Sequence, residues 1–174
     1  EWSPQEMEFT FEGPLPGNLY LLQTRDMAMR ERKKVVTFEP GDVDNENLLG
    51  HGIGVSGGAM SGRLVFTLKE IDKWRSLEAE TPLILARGDT VPDDIKEIYA
   101  ADGLLTARGG VTSHAAVVAH RLGKTGVVGC GSMRCDEKEK ICVFSSVRLI
   151  SGDYISIDGR EGSVYRGKIE LNVT

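Results

Sequence analysis

A glycine-rich turn that leads into a short helix constrains this chain more than any other part of its sequence. Residues 107–123 read ARGGVTSHAAVVAHRLG. Gly109 and Gly110 have no Cβ, so the backbone there can adopt a positive φ and lie close to a bound group. Thr112 or Ser113 is placed to cap the helix that follows. The pattern therefore predicts the end of a strand, a tight turn and a helix.

His114 lies in the first turn of this predicted helix, and Gly123 is placed to end it. A helix N-terminus presents free N–H groups and the positive end of the helix dipole, which favours a bound phosphoryl group. The small residues Ala115, Ala116 and Ala119 leave the surroundings of the histidine uncrowded. Imidazole is a nucleophile near pH 7, whereas a hydroxyl needs a base. We therefore predict that His114 carries the chemistry.

The segment 108–119, RGGVTSHAAVVA, resembles the phosphohistidine motif of the phosphoenolpyruvate-utilising enzymes, and most of all that of the pyruvate, phosphate dikinases. Its flanks agree with this motif: PDDI at 92–95, AADGLLT at 100–106, GVVGC at 126–130 and GDYISIDG at 152–159. The resemblance covers roughly residues 54–167, with a separate piece at the N-terminus. It implies an α/β fold, a swivelling phosphohistidine domain with β/β/α layers.

The resemblance also assigns roles around the motif. It implies that the phosphoryl group is carried on Nε2 of His114, with Arg108, Gly109, Gly110, Thr112 and Ser113 forming the rest of the catalytic turn. In some dikinases of this family, the threonine that matches Thr112 is phosphorylated to switch the enzyme off. No metal site is expected within the swivelling domain.

The N-terminal residues have the pattern of a β-hairpin. Residues 7–12 alternate apolar and polar side chains, residues 13–18 read GPLPGN and form a turn, and residues 19–25 run back as a second strand. An isolated hairpin is not stable in water, so a larger sheet should complete it. The resemblance identifies the hairpin with the closing strands of an ATP-grasp domain, and implies that Glu8, Gln23 and Arg25 lie near Mg²⁺ and ATP.

These patterns predict three parts of the chain. Residues 1–26 are expected to be the hairpin remnant of the ATP-grasp domain, residues 27–50 a linker, and residues 51–174 the swivelling domain. Within the linker, residues 26–34 favour a short helix and residues 39–47 are acidic and contain Pro and Gly. Because the chain opens at Glu1 without an initiating Met, we expect it to be a piece of a longer polypeptide.

Two further helices and several strands are predicted from hydrophobic periodicity. The inward-facing residues are expected to be Ile71, Trp74 and Leu77 in a helix over 68–78, and Ile95, Ile98 and Tyr99 in a helix that begins at Pro92. Strands are expected at residues 62–66, 82–86, 103–107, 126–128, 140–144, 154–157 and 163–165.

Three competing sites fail on spacing or context. The GIGVSG run at 52–57 matches a dinucleotide-binding pattern, but a strand pattern follows it where a helix is required. Ser113 and His114 are adjacent on a helix and point about 100° apart, which disfavours a hydrolase pair. His114 and His120 are six residues apart, a poor helical spacing for a shared metal. His51 has no visible partner in the sequence.

Composition excludes several classes of partner. The formal net charge is −5 and aromatic residues make up 6% of the chain, so nucleic acid is not an expected ligand. The sequence has neither an apolar run of about 18 residues nor a signal peptide, and we expect no membrane span and a cytoplasmic location. Cys130, Cys135 and Cys142 fit no common zinc spacing and are interpreted as reduced thiols.

The resemblance thus implies a phosphoryl carrier that relays a group between ATP and phosphate on one domain and pyruvate or phosphoenolpyruvate on another. The partners are the ATP-grasp domain and a phosphoenolpyruvate-binding barrel of the same polypeptide, in an enzyme expected to be a homodimer. Mg²⁺ and ATP would be bound mainly outside this chain. Three alternatives stay open: a phosphoenolpyruvate synthase, a related phosphotransferase with another acceptor, and a non-catalytic interaction module of the same fold. Ser113 favours the dikinase, because the synthases usually have Cys there.

Overall fold

The computed structural model describes residues 5–11, 19–26 and 35–174. The chain divides into two compact units, one up to Lys34 and one from Val35 onward. The predicted turn at 13–18 and the predicted short helix at 27–34 lie outside the described residues.

The first unit is a two-stranded antiparallel hairpin, as its alternating pattern predicts. Strand β1 (Gln5–Phe11) pairs with β2 (Leu19–Asp26), with a bulge between Glu8 and Phe9. One face carries apolar side chains that are more than half exposed within this unit: Met7, Phe9, Phe11, Leu19 and Leu21. A hairpin with such a face needs further strands or a partner to bury it.

The second unit contains thirteen strands and three α-helices. The strands are β3 (Val36–Phe38), β4 (Leu48–His51), β5 (Ile53–Ser56), β6 (Ala59–Val65), β7 (Leu83–Arg87), β8 (Gly103–Thr106), β9 (Thr125–Val128), β10 (Met133–Asp136), β11 (Ile141–Phe144), β12 (Val147–Ile150), β13 (Tyr154–Asp158), β14 (Ser163–Arg166) and β15 (Leu171–Val173). The helices are α1 (Leu68–Leu77), α2 (Ile95–Ala100) and α3 (His114–Arg121), and short 3-10 helices lie at Asn45–Asn47 and Pro92–Asp94.

Eight of these strands form one mixed sheet in the order β4-β14-β13-β6-β7-β8-β9-β5. The four central strands β6 to β9 run parallel, and the outer strands pair antiparallel. The connection from β6 to β7 contains α1 and that from β7 to β8 contains α2, as is usual for crossovers between parallel strands. The third, from β8 to β9, contains the glycine turn and α3.

The sheet is covered on both faces, which gives the predicted β/β/α layers. On one face Leu64, Ile84 and Ile157 pack in a cluster with Cys142 and Phe144 of a three-stranded sheet, ordered β10-β11-β12. The other face is covered by the helices. Its buried residues are Val65, Leu83, Leu85, Leu104, Ile71, Ile98, Ala101, Ala115 and Ala119. The fold class predicted from the sequence is confirmed.

Both helices predicted by periodicity are present, but three of their residues do not face inward. Ile71 and Ile98 are buried, whereas Leu77, Ile95 and Tyr99 are exposed. Leu77 is the last residue of α1, where the chain leaves the sheet, and α2 is only six residues long, so that Ile98 alone is buried on it. The longest helix in the described part of the chain has ten residues, about half the length that crosses a bilayer.

Residues 35–50, predicted as part of a linker, contain β3 and most of β4, which pair with other strands of the second unit. Strand β3 pairs antiparallel with β15, and β4 pairs with β14 at the edge of the large sheet. Phe38 on β3 is buried against Tyr165, with the two rings edge to face at 5.5 Å. This pairing places the start of the second unit at Val35, ahead of the predicted boundary at residue 51.

Candidate functional site: the glycine turn and the start of α3

Thr106 ends strand β8 and holds the turn that follows it. Its side chain is buried, and its Oγ1 donates a hydrogen bond of 2.6 Å to the carbonyl oxygen of Arg108. The same Oγ1 accepts a 3.3 Å hydrogen bond from the N–H of Gly129, and the Thr106 carbonyl accepts one of 2.9 Å from the N–H of Cys130. The turn is thereby joined to the loop after β9.

The glycine turn itself depends on two glycines with positive φ. Gly109 has φ +104°, and a Cβ there would lie 3.2 Å from Cβ of Ser113. Gly129 has φ +65°, and a Cβ there would lie 2.6 Å from the carbonyl oxygen of Gly109. Gly110 has neither a positive φ nor an atom within 4 Å of its Cβ position. Of the two glycines singled out in the sequence, only Gly109 has the positive φ expected of the pair.

Helix α3 begins at His114, and its cap is Ser113. The Ser113 backbone is extended, with φ −63° and ψ 152°, and its Oγ accepts a 3.3 Å hydrogen bond from the N–H of Ala116. The N–H of Ser113 donates a 2.9 Å hydrogen bond to the carbonyl of Gly110. The sequence left Thr112 and Ser113 as alternatives for the cap, and the structure selects Ser113. Gly123, at φ +64°, follows the end of the helix as predicted.

The His114 side chain is exposed at the first residue of the helix. Ala115, Ala116 and Ala119 lie on the opposite side and are fully buried, so the helix packs closely on the sheet while its imidazole faces outward. The first backbone N–H groups of any helix have no partner within the helix, and here they lie next to His114. The arrangement offers an accessible nucleophile next to a position that favours an anion.

The surface around His114 is partly apolar. Val111 is 60% exposed and Val117, one helical turn after His114, is 40% exposed. A shallow cleft of about 260 Å³ lies along this side of α3, between Val111, Val117 and His120 on one side and strand β5 on the other. Exposed apolar residues that flank a reactive group favour docking against another surface.

Arg108 and Thr112 are exposed on either side of the turn. The Arg108 N–H donates a 3.0 Å hydrogen bond to the carbonyl of Gly88, the residue after β7. Arg87, buried at the end of β7, forms a 3.1 Å ion pair with Asp94 and also lies 3.9 Å from Glu137. The residues at the end of β7 therefore contact the turn and stabilise it.

Three residues of this site, Thr106, Arg87 and Gly129, were not predicted from the sequence. Thr106 and Arg87 each follow a run of apolar residues, and a polar side chain at the end of a buried strand was the available signal. Gly129 could not be found this way, because its contact with Gly109 joins two loops that are distant in sequence.

The other predicted site residues lie elsewhere. In the hairpin, Glu8 and Gln23 are directly opposite each other and exposed, and Arg25 pairs in register with Glu6. His51 and His120 are both exposed. Among the described residues, no three His, Cys, Asp or Glu side chains are grouped so as to hold a metal ion. In the GIGVSG run, β5 is followed by strand β6, so the dinucleotide interpretation is excluded by topology as well.

Comparison with known proteins places this site in a family. Residues 79–162 match the family described as PEP-utilising enzyme, mobile domain. These residues belong to that family. The matched residues include the glycine turn, α3 and the strands on both sides of them.

Similarity to curated proteins extends over most of the chain. A pyruvate, phosphate dikinase of Rhizobium meliloti is 35% identical over 196 residues, which cover 96% of this chain and 21% of that protein. The chloroplastic pyruvate, phosphate dikinase 1 of Arabidopsis thaliana is 43% identical over 126 residues, covering 72% of this chain and 13% of that protein. The chain therefore spans about one fifth, or less, of the length of these dikinases.

Among solved structures, the solution structure of an Enzyme I protein superposes with a TM-score of 0.37, at 31% identity, over 51% of this chain and 32% of that chain.

Proposed function

We propose that this chain is the phosphoryl-carrier domain of a pyruvate, phosphate dikinase, and that His114 is the residue phosphorylated. The observation that carries the proposal is the exposed imidazole on the first residue of α3, directly after a turn held by Thr106 and Gly129. The similarity to dikinases over most of the chain supports the same role.

The chemistry follows from the position of the imidazole. The neutral Nε2 atom of His114 attacks the phosphorus of the donor, a P–N bond forms, and the P–O bond to the leaving group breaks. The group then passes to the acceptor by the reverse exchange, which restores the free imidazole. The N–H groups and the dipole at the start of α3 stabilise the negative oxygens while the group is carried.

The proposed donor and acceptor sites lie on other domains of a longer polypeptide. We assign ATP and phosphate to an ATP-grasp domain that includes the hairpin at residues 1–26, and pyruvate or phosphoenolpyruvate to a barrel domain. One carrier histidine that serves two sites requires the domain to move as a body, and the predicted linker, the part of it before Val35, would include the connection that permits this movement. The enzyme would be a cytoplasmic homodimer.

The hairpin residues fit a contribution to the nucleotide site. Glu8 and Gln23 are neighbours across the strands, and carboxylate and amide oxygens are ligands that Mg²⁺ accepts. Arg25 follows Gln23 by two residues on the same strand and supplies a cation for phosphate oxygens. The bound Mg²⁺ would neutralise phosphate charge at that site.

A labelling experiment tests the carrier role. The polypeptide that includes this chain and its neighbouring domains is incubated with phosphoenolpyruvate labelled on phosphorus, and the protein-bound label is counted. We expect label on the parent protein and on the His51→Asn and His120→Asn variants, and none on His114→Asn. Label on His114→Asn at the parent level, or no label on a folded parent protein, would favour a non-catalytic interaction module.

The substrates consumed and products formed by the same polypeptide distinguish a dikinase from the alternative activities. A dikinase needs phosphate and converts it to pyrophosphate as ATP and pyruvate are consumed. A phosphoenolpyruvate synthase instead uses water and releases phosphate, and a phosphotransferase with another acceptor forms no phosphoenolpyruvate. We expect dependence on phosphate, in keeping with Ser113 at the position where the synthases usually have Cys.

A further inference from the structure

Cys135 and Cys142 lie directly opposite each other on the neighbouring strands β10 and β11. Both side chains face the core, where Cys142 is fully buried and Cys135 packs against the same cluster. Residues paired in this way have Cα atoms about 4.5–5.5 Å apart, within the range of about 4.4–6.8 Å that a disulfide spans. The backbone therefore places the two thiols within reach of a disulfide.

The two cysteines differ in their access to solvent. Strand β10 is the edge of the three-stranded sheet, and Cys135 is only half-buried there. Cys135 also lines a surface cavity of about 330 Å³, together with Arg134 and Arg148. A small oxidant therefore reaches Cys135 before Cys142.

We infer that Cys135 and Cys142 are a redox modification site, which a peroxide converts to a reversible disulfide. The Cys135 thiolate attacks a peroxide oxygen, the O–O bond breaks, and the leaving hydroxide takes up the proton that the thiol had released, so that a sulfenic acid and one water are formed. The Cys142 sulfur then attacks the Cys135 sulfur, and the hydroxyl group leaves as a second water with the proton of Cys142. Two thiols and one hydrogen peroxide thus give one disulfide and two waters.

The environment of Cys142 fits the second role, that of the resolving thiol. A hydrogen bond with Cys135, with burial as the next cause, raises the pKa of the Cys142 thiol. Cys142 therefore keeps its proton until the sulfenic acid forms next to it. The third cysteine, Cys130, is buried in the loop before β10, where its sulfur lies 3.5 Å from Oγ of Ser132. It has no position on the β10–β11 ladder.

This pair of cysteines lies close to Gly88, the residue after β7 that contacts the glycine turn. A Cβ built on Gly88 would lie 4.0 Å from Cβ of Cys135, and the carbonyl of Gly88 accepts the hydrogen bond from Arg108. Glu137, two residues after Cys135, accepts a 3.2 Å hydrogen bond from the N–H of Gly88. A disulfide would therefore form next to the strand end on which the turn rests.

Peptide mapping tests the inference without requiring phosphoryl transfer. The reduced 174-residue chain is treated with hydrogen peroxide, its remaining thiols are alkylated, and it is digested with trypsin without reductant. We expect residues 135–138 joined to residues 141–148, Cys130 alkylated, and the link removed by dithiothreitol. Cys135→Ser and Cys142→Ala should each abolish the link, and Cys130→Ala should leave it unchanged.

Two results would overturn this assignment. One is a disulfide that includes Cys130 in the parent chain. The other is irreversible oxidation of Cys135 while Cys142 is still fully alkylated. Because Cys135 is the more exposed of the two, the Cys135→Ser variant keeps the test decisive even if Cys142→Ala does not fold.

Discussion

The hydroxyl of Thr106 donates a 2.6 Å hydrogen bond to the carbonyl oxygen of Arg108, across the first residues of the glycine turn. Thr106→Val keeps the shape of the side chain and removes this donor together with the acceptor for the Gly129 N–H. A buried polar group left without its partner costs about 1–3 kcal/mol, so we expect the free energy of unfolding to fall by about that amount. Urea unfolding measures it.

Thr106→Ser is the matched control for this prediction, because it keeps the hydroxyl and loses only a methyl group. It should remain within about 1 kcal/mol of the parent. It should also preserve the rate of labelling at His114, whereas Thr106→Val should slow it under conditions in which both variants are folded. Equal rates for the valine and serine variants would show that the hydroxyl does not position the turn.

Gly129 approaches the turn too closely to accept a side chain. Gly129→Ala places a methyl group 2.6 Å from the Gly109 carbonyl and forces a non-glycine residue to φ +65°. Left-handed backbone alone costs about 1–3 kcal/mol, and we expect at least this loss of unfolding free energy. Gly131→Ala, whose Cβ position has no atom within 4 Å, should change it by less than about 0.5 kcal/mol. Similar losses in both variants would contradict the contact.

The local features of this site could be predicted from the sequence, since glycine, serine and helix periodicity act over a few residues. The turn, the Ser113 cap and the end of α3 at Gly123 all follow from such signals. The layers were predicted through the family resemblance of the motif. Local signals could not predict that β3 pairs with β15, because these strands lie at opposite ends of the second unit in sequence.

The same limit explains the errors in α1 and α2. Periodicity assigns Leu77 and Tyr99 to an inward face, but burial depends on how long each helix stays against the sheet. It also explains why Thr106 was not predicted. Its hydrogen bond to Arg108 is local, but its second partner, Gly129, lies in the loop after β9. A pattern within one segment contains no information on such partners.

Thr112 is exposed two residues before His114, where a negative charge would oppose an incoming phosphoryl group. We expect Thr112→Asp to lower the rate of labelling at His114 by about tenfold or more, because like charges a few ångströms apart repel by roughly 1–4 kcal/mol near a protein surface. Thr112→Ser should label at the parent rate. If both variants labelled equally fast, the electrostatic account of this position would be wrong.

Burial makes the stability of the chain sensitive to alkaline pH. The pKa of Cys142 is raised by its hydrogen bond with Cys135 and by burial, and that of Cys130 is raised by burial. The folded state therefore retains protons that the unfolded state loses above its thiol pKa of about 8.5, so these thiols contribute stability that is lost as the pH rises.

With reductant present, the loss should approach about 1.4 kcal/mol per pH unit for each raised thiol. Cys142→Ala should therefore show a shallower decline of unfolding free energy between pH 8 and pH 10 than the parent chain. Denaturant unfolding across this range measures the difference. Parallel curves for the two proteins would mean that Cys142 titrates alike in both states.

The chemical stability of the bound phosphate is the most direct test of the account. After labelling from phosphoenolpyruvate in the presence of the neighbouring domains, the protein is divided between acid and base, and the retained label is mapped to its residue. We predict a label on His114 that is lost in acid and survives in base, as a phosphoramidate does. An acid-stable label on Ser113 or Thr112, or normal turnover by His114→Asn, would contradict the assignment of His114 as the carrier.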